Sequence, residues 1–231
     1  MSRYALYFAP EQDSKWWHAG CQWLGRDPTV TNHTANVEQL LIPNVLPNVL
    51  QHLTKDARRY GFHATLKAPF RLAPGHQVAE LERALETFCQ QQKAIKIPSP
   101  QLEWMGNFLA IRPIGDTSLL NQLAMQCVSQ FDHLRAALKP GELARRQQHQ
   151  LSARQLRLLQ HWGYPYTEEE YRFHMTLTDS LDNTDSAEAI LRAARRHFDI
   201  GEPLIIRSIA LFHETNPDED FRLLQRYPFG H

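Results

Sequence analysis

The chain has 231 residues, 42% of them hydrophobic, and its 25 Lys and Arg balance 25 Asp and Glu. That apolar content supplies a sizeable core for one large domain or two fused lobes and excludes the disordered class. The balanced charge excludes a global basic field of the kind that draws proteins onto nucleic acid or anionic membrane, so any anionic ligand must be held locally.

Taken in order, Arg3 to Ala9 reads as a strand stopped by Pro10. Asp13-Ser14 offers an N-cap for a helix carrying Trp16, Trp17, Cys21 and Leu24, which Gly25 and Pro28 end. From 26 to 58 the pattern is weak and broken by Pro43 and Pro47, so this stretch is an insertion with one short helix. Val78, Leu81, Leu85 and Phe88 give a helical stripe. Ile95 to Met105 and Phe108 to Ile114 are strands about a Gly106-Asn107 hairpin turn, and Asp116 caps a helix bearing Leu120, Leu123, Cys127 and Phe131. A second insertion, 139 to 170, contains a capping box at Ser152 to Gln155 and the basic residues Arg145, Arg146, Arg154 and Arg157, read mainly as a solvated face. Asp185-Ser186 caps a helix with Ile190, Leu191, Ala194 and Phe198, and Pro203 to His213 and Phe221 to Phe229 close the chain as strands.

The three cysteines, Cys21, Cys89 and Cys127, have no CxxC spacing and fall in helical patterns, which suits small hydrophobes in a reducing compartment. The apolar start is too short for a signal segment and no run is long enough to span a bilayer. A cytoplasmic protein with no membrane partner is expected. Oligomeric state leaves no trace.

The stretch Tyr60-Gly61-Phe62-His63-Ala64-Thr65-Leu66 recurs as Tyr171-Arg172-Phe173-His174-Met175-Thr176-Leu177, with five of seven positions identical. Both copies alternate as strands, aromatic and aliphatic residues on one parity and His and Thr on the other. By the same parity Arg59 and Lys67 share a face with His63, and Arg172 and Thr178 share one with His174. These four are the expected phosphate-binding residues. The order strand, helix, insertion, His strand, helix, strand occurs twice, which predicts one bilobal α+β domain over 1–231 with repeat units 1–105 and 106–231. Two antiparallel-rich sheets, helices outside, are expected to face each other across a central cleft.

Two facing histidines suit acid–base chemistry at phosphorus: one neutral imidazole takes a proton from water while the other, protonated, gives one to the leaving oxygen. The threonines would hold the non-bridging oxygens as charge builds there. His63-Ala64-Thr65-Leu66 and His174-Met175-Thr176-Leu177 resemble the paired HxTx signatures of the 2H phosphoesterase superfamily, which includes RNA 2′,3′-cyclic phosphodiesterases and 2′,5′-RNA ligase-like proteins. The wider run Arg58 to Phe70, with Trp23-Leu24-Gly25-Arg26-Asp27, is similar to a branch associated with phosphonate-utilisation operons, the domain of unknown function 1045. The resemblance spans most of the chain. It implies metal-independent hydrolysis of a cyclic phosphodiester, with no cofactor and with His63, Thr65, His174 and Thr176 as the catalytic set. Long insertions and the absence of a basic surface turn the expectation from long RNA toward a small ribose or nucleotide cyclic phosphate.

Four rivals stand beside this reading. RNA end processing, or a non-catalytic nucleotide-binding module stacking bases on Trp104, Tyr7 or Phe108, would keep the same cleft. A metal site lacks HxH, HExxH or CxxC spacing. Histidines that merely pack would point away from a shared cavity. His213 has no repeat partner and reads as structural or surface.

Overall fold

A computed structural model describes residues 2–30, 37–43, 45–147, 150–181 and 186–230; the side chains of Arg145 and Gln147, and the expected cap Asp185, lie outside the described residues. The strands are β1 Arg3–Phe8, β2 Ala64–Phe70, β3 Ile95–Ile97, β4 Pro100–Met105, β5 Phe108–Pro113, β6 Met175–Thr176, β7 Leu204–Ile206, β8 Ser208–Glu214 and β9 Arg222–Pro228. The helices are α1 Lys15–Leu24, α2 Pro47–Leu53, α3 Lys55–Tyr60, α4 Val78–Gln90, α5 Ser118–Gln130, α6 Pro140–Gln147, α7 Ala153–Trp162 and α8 Ala187–His197.

The local chemistry read from the sequence accounts for several of these boundaries. Ser14 accepts a hydrogen bond from the Trp17 amide and Gly25 ends α1 in the left-handed region. The capping box at Ser152 starts α7. Asp116 accepts from both the amide and hydroxyl of Ser118, turning the chain just ahead of α5. The first insertion carries two short helices where one was expected, because Pro47 suits the first turn of α2 and Thr54 separates α2 from α3.

Seven strands form one antiparallel sheet in the order β4-β5-β6-β2-β1-β8-β9, and β3 pairs with β7. The two sheet halves therefore meet edge to edge through β6 and β2, at the single register pair Ala64↔Met175. Strand β2 offers the two-residue β6 the edge left free by β1. The order is nearly palindromic about that junction: β1 beside β2 matches β5 beside β6, and β8 beyond β1 matches β4 beyond β5. Strand β4 thus pairs in the half that holds the second motif, and β8 in the half that holds the first.

Ala64, Leu66, Met175 and Leu177 point to one face, where they join Leu6, Phe8, Leu109 and Ile111 and the apolar stripes of α4, α5 and α8 in the main core. The opposite face of the central strands carries the motif histidines and threonines. A second, smaller apolar cluster of Ala5, Tyr7, Trp17, Cys21, Ala210, Phe212 and Phe221 fills that face beneath β1 and β8. All three cysteines are buried and unbridged. Among the described residues no helix is long and apolar enough to cross a membrane.

Candidate active site

The first motif is shorter as a strand than its alternation suggests. Helix α3 runs through Tyr60, and Gly61, at φ 78°, turns the chain so that β2 begins only at Ala64. Phe62 is fully buried against α1, where a Cβ at Gly20 would lie 2.0 Å from its ring. His63 follows with its Nδ1 2.8 Å from the Gly61 carbonyl. The second motif repeats the device: His174 Nδ1 lies 2.7 Å from the Arg172 carbonyl. A carbonyl only accepts, so Nδ1 carries the proton in both rings and Nε2 is left to exchange one.

Pairing of Ala64 with Met175 interleaves the motifs. In an antiparallel register His63 then lies across from Thr176, and His174 across from Thr65, with all four side chains on one face. Diagonal neighbours in such a ladder sit roughly 7–8 Å apart, room for one phosphoryl group between the imidazoles. Thr65 Oγ1 is 3.3 Å from His63 Nε2. A further tie crosses the motifs, because the Tyr171 hydroxyl donates to the Thr65 carbonyl at 3.0 Å.

The surroundings of the two rings differ. Tyr7 stacks on His63 with centroids 3.8 Å apart, and Tyr60 flanks it. Burial, outweighing the Gly61 hydrogen bond and joined by a smaller push from the nearby His174, brings the His63 pKa down to about 4. Burial also lowers His174, which has Arg112 as its charged neighbour and the Phe108 ring 5.7 Å away. Thr65 and His174 line a cavity of about 640 Å³, within the range of small-molecule sites; His63 and Thr176 are half-buried and are not part of its lining. Trp104, Tyr164, Tyr166 and Tyr171 add aromatic surface, so the second insertion roofs one side of the cavity.

The remaining expected phosphate ligands fare differently. Lys67 lines the cavity, yet its ammonium is buried and engaged, donating to the Val128 carbonyl at 2.8 Å and pairing with Asp132 at 3.5 Å. The parity argument fails there because β2 bulges: Tyr7 pairs with Thr65 but Leu6 with Lys67, so Leu66 is the extra residue and both Leu66 and Lys67 turn inward. Arg59 pairs with the buried Glu214, shared with Arg3, and donates to the Glu219 carbonyl at 3.0 Å. Thr178 is fully buried and accepts from the Leu109 amide at 2.9 Å, so it fastens the chain after β6 onto β5. Arg172 does reach the cavity, from its exposed rim, with Nη1 held by the Glu169 and Tyr171 carbonyls.

One residue was missed. Arg112, on β5, lies one step beyond the Ile111↔Met175 pair, directly across from His174, and lines the same cavity. Only the register of two strands distant in sequence reveals it. Among the described residues no three His, Cys, Asp or Glu side chains are gathered as a metal site would gather them.

An antiparallel α+β fold thus brings two HxTx motifs together on one sheet face beside a cavity. The chain belongs to the family described as a protein of unknown function (DUF1045), which matches residues 65–222. Over its whole length it is 47% identical to "Ribose 1,5-bisphosphate phosphokinase PhnN" of Janthinobacterium sp. (strain Marseille), and over 96% of its length 36% identical to a protein of the same name from Laribacter hongkongensis (strain HLHK9). It spans about half of each relative, 51% and 50%. Among solved structures it is similar to E. coli LigT complexed with 3′-AMP (TM-score 0.42, 13% identity, 99% of this chain and 98% of that one) and to a crystal structure of a phosphoesterase (TM-score 0.42, 14% identity, 99% of each).

Proposed function

We propose that the chain is a phosphoesterase that opens a small cyclic phosphodiester by two-histidine acid–base catalysis, without a metal. The observation that carries this is the interleaved register: each histidine has Nδ1 fixed by the carbonyl two residues back, and each lies across from the other motif's threonine. One Nε2 takes a proton from water as its oxygen bonds to phosphorus. The P–O bond to the ring oxygen breaks, and the other imidazolium protonates the leaving alkoxide. Both rings sit below their ordinary pKa and are neutral at pH 7, so the acid gains its proton as the anionic substrate enters and favours imidazolium. Thr65 and Thr176 donate to the non-bridging oxygens.

The name of the half-matching relatives supports a ribose phosphate as substrate. Ring opening of the 1,2-cyclic phosphate of ribose 5-phosphate, with cleavage at O2, yields ribose 1,5-bisphosphate. A neighbouring phosphokinase acting on that product would give both halves of such a relative consecutive tasks. Three buried, unbridged cysteines support a reducing, cytoplasmic setting. The test is a panel of ribose cyclic phosphates, cyclic nucleotides and RNA 2′,3′-cyclic ends, with product regiochemistry read by phosphorus NMR. Preferential turnover of the ribose compound to the 1-phosphate is expected; turnover of RNA ends alone would redirect the reading to RNA processing, and tight binding with no turnover to a binding module.

A further inference from the structure

We infer that Arg112 is the anion anchor of this site, its guanidinium taking a non-bridging oxygen of the phosphoryl group beside His174. The inference rests on the phosphoesterase reading for its role in turnover, but the anion site itself stands on geometry. The β5–β6 register puts Arg112 across from His174 on the motif face. Its side chain is 24% exposed and lines the cavity that Thr65 and His174 open onto. A guanidinium has five N–H donors, and at Arg112 a single contact is made among the described residues, from Nη1 to Glu103 at 2.7 Å; Nε is buried with no partner.

Three other cavity arginines, Arg3, Arg71 and Arg135, are committed elsewhere, and Arg172 sits on the exposed rim with Nη1 held by backbone carbonyls. Arg3 spends both of its faces on Glu214. Arg71 holds Glu142 and the Ala137 carbonyl, and Arg135 holds Asp132 and the His161 carbonyl. Glu103 acts as a brace: it receives Gln101 at 3.0 Å as well as Arg112, which fixes the guanidinium while leaving its remaining donors to a planar or tetrahedral oxyanion. The charge of Arg112 also disfavours the imidazolium of His174, which is the condition a general base requires.

The test uses inorganic phosphate as probe, titrated into the protein while the His174 ring signals are followed by NMR, so that it does not depend on turnover. Arg112→Gln is expected to weaken phosphate binding roughly 10- to 100-fold, the loss of hydrogen bonds to a charged group. Arg71→Gln is expected to leave it unchanged. Arg112→Lys keeps a charge and the pairing to Glu103 but loses the fork, and should fall between the two, which preserves the test if the glutamine variant does not fold. The His174 pKa should rise in Arg112→Gln. Phosphate bound by both Arg112 variants as in the parent would overturn the inference even if the enzyme hydrolyses its substrate. Weakened phosphate binding in a protein that hydrolyses no cyclic ester would instead uphold the anchor and sink the proposed reaction.

Discussion

The two copies of the motif share a backbone device and differ in what surrounds it. His63 is enclosed, stacked on Tyr7 and touched by its own Thr65, and the segment before it is pinned by Arg26 donating to the Arg58, Arg59 and Phe221 carbonyls. His174 opens onto the cavity with Arg112 for a neighbour, and the segment before it is held by the second insertion, where Arg154 pairs with Glu168 and Glu169 and Gln155 bonds to Glu170. The paired motifs thus present two Nε2 atoms held by the same backbone contact in different packing. Burial lowers both rings; the further push comes from His174 at His63 and from Arg112 at His174.

The comparison can be broken most sharply at the histidines. His63→Ala or His174→Ala should each lower hydrolysis by about 10²- to 10⁴-fold with the fold intact by circular dichroism, and EDTA should change nothing. Restoration of an EDTA-inactivated enzyme by zinc would move the chemistry to a metal. A smaller loss, roughly 10²-fold in kcat, is expected for Thr65→Val and Thr176→Val, with Thr65 the worse because it also contacts His63.

At Thr178 the expected effect passes from rate to stability. Thr178→Val strips the buried Leu109 amide of its acceptor and should cost about 1–3 kcal/mol in urea unfolding while KM holds. Lys67→Met should likewise leave KM unchanged, since the ammonium is already spent on Val128 and Asp132. A further expected effect concerns pH. His63 titrates near 4 when folded and near its ordinary 6.5 when unfolded, so between those values the unfolded chain binds more protons. Stability should therefore fall as pH drops from 6.5 to 4, and His63→Gln should flatten that part of the profile.

Much of this was legible in the residues themselves. Ser14, Gly25, Ser152 and the alternation through Phe62, Ala64 and Leu66 act over one turn or one strand step, where sequence spacing and geometry coincide. What sequence could not show depends on contacts between distant segments. Lys67 was lost to a bulge that only the β1 pairing reveals, and Arg59 to the Glu214 carboxylate 155 residues away. Arg112 looks like any strand arginine until β5 is laid against β6. The edge-to-edge union of the sheet halves likewise follows from one register pair that no local pattern encodes.

The most direct test of the account is a double-mutant cycle on the two histidines, measured as single-turnover hydrolysis of the ribose cyclic phosphate. If the motifs form one site acting in one step, the His63→Ala, His174→Ala double variant should be little slower than the slower single variant. Losses that multiply would mean two independent contributions, and full activity in either single variant would contradict the two-histidine site outright.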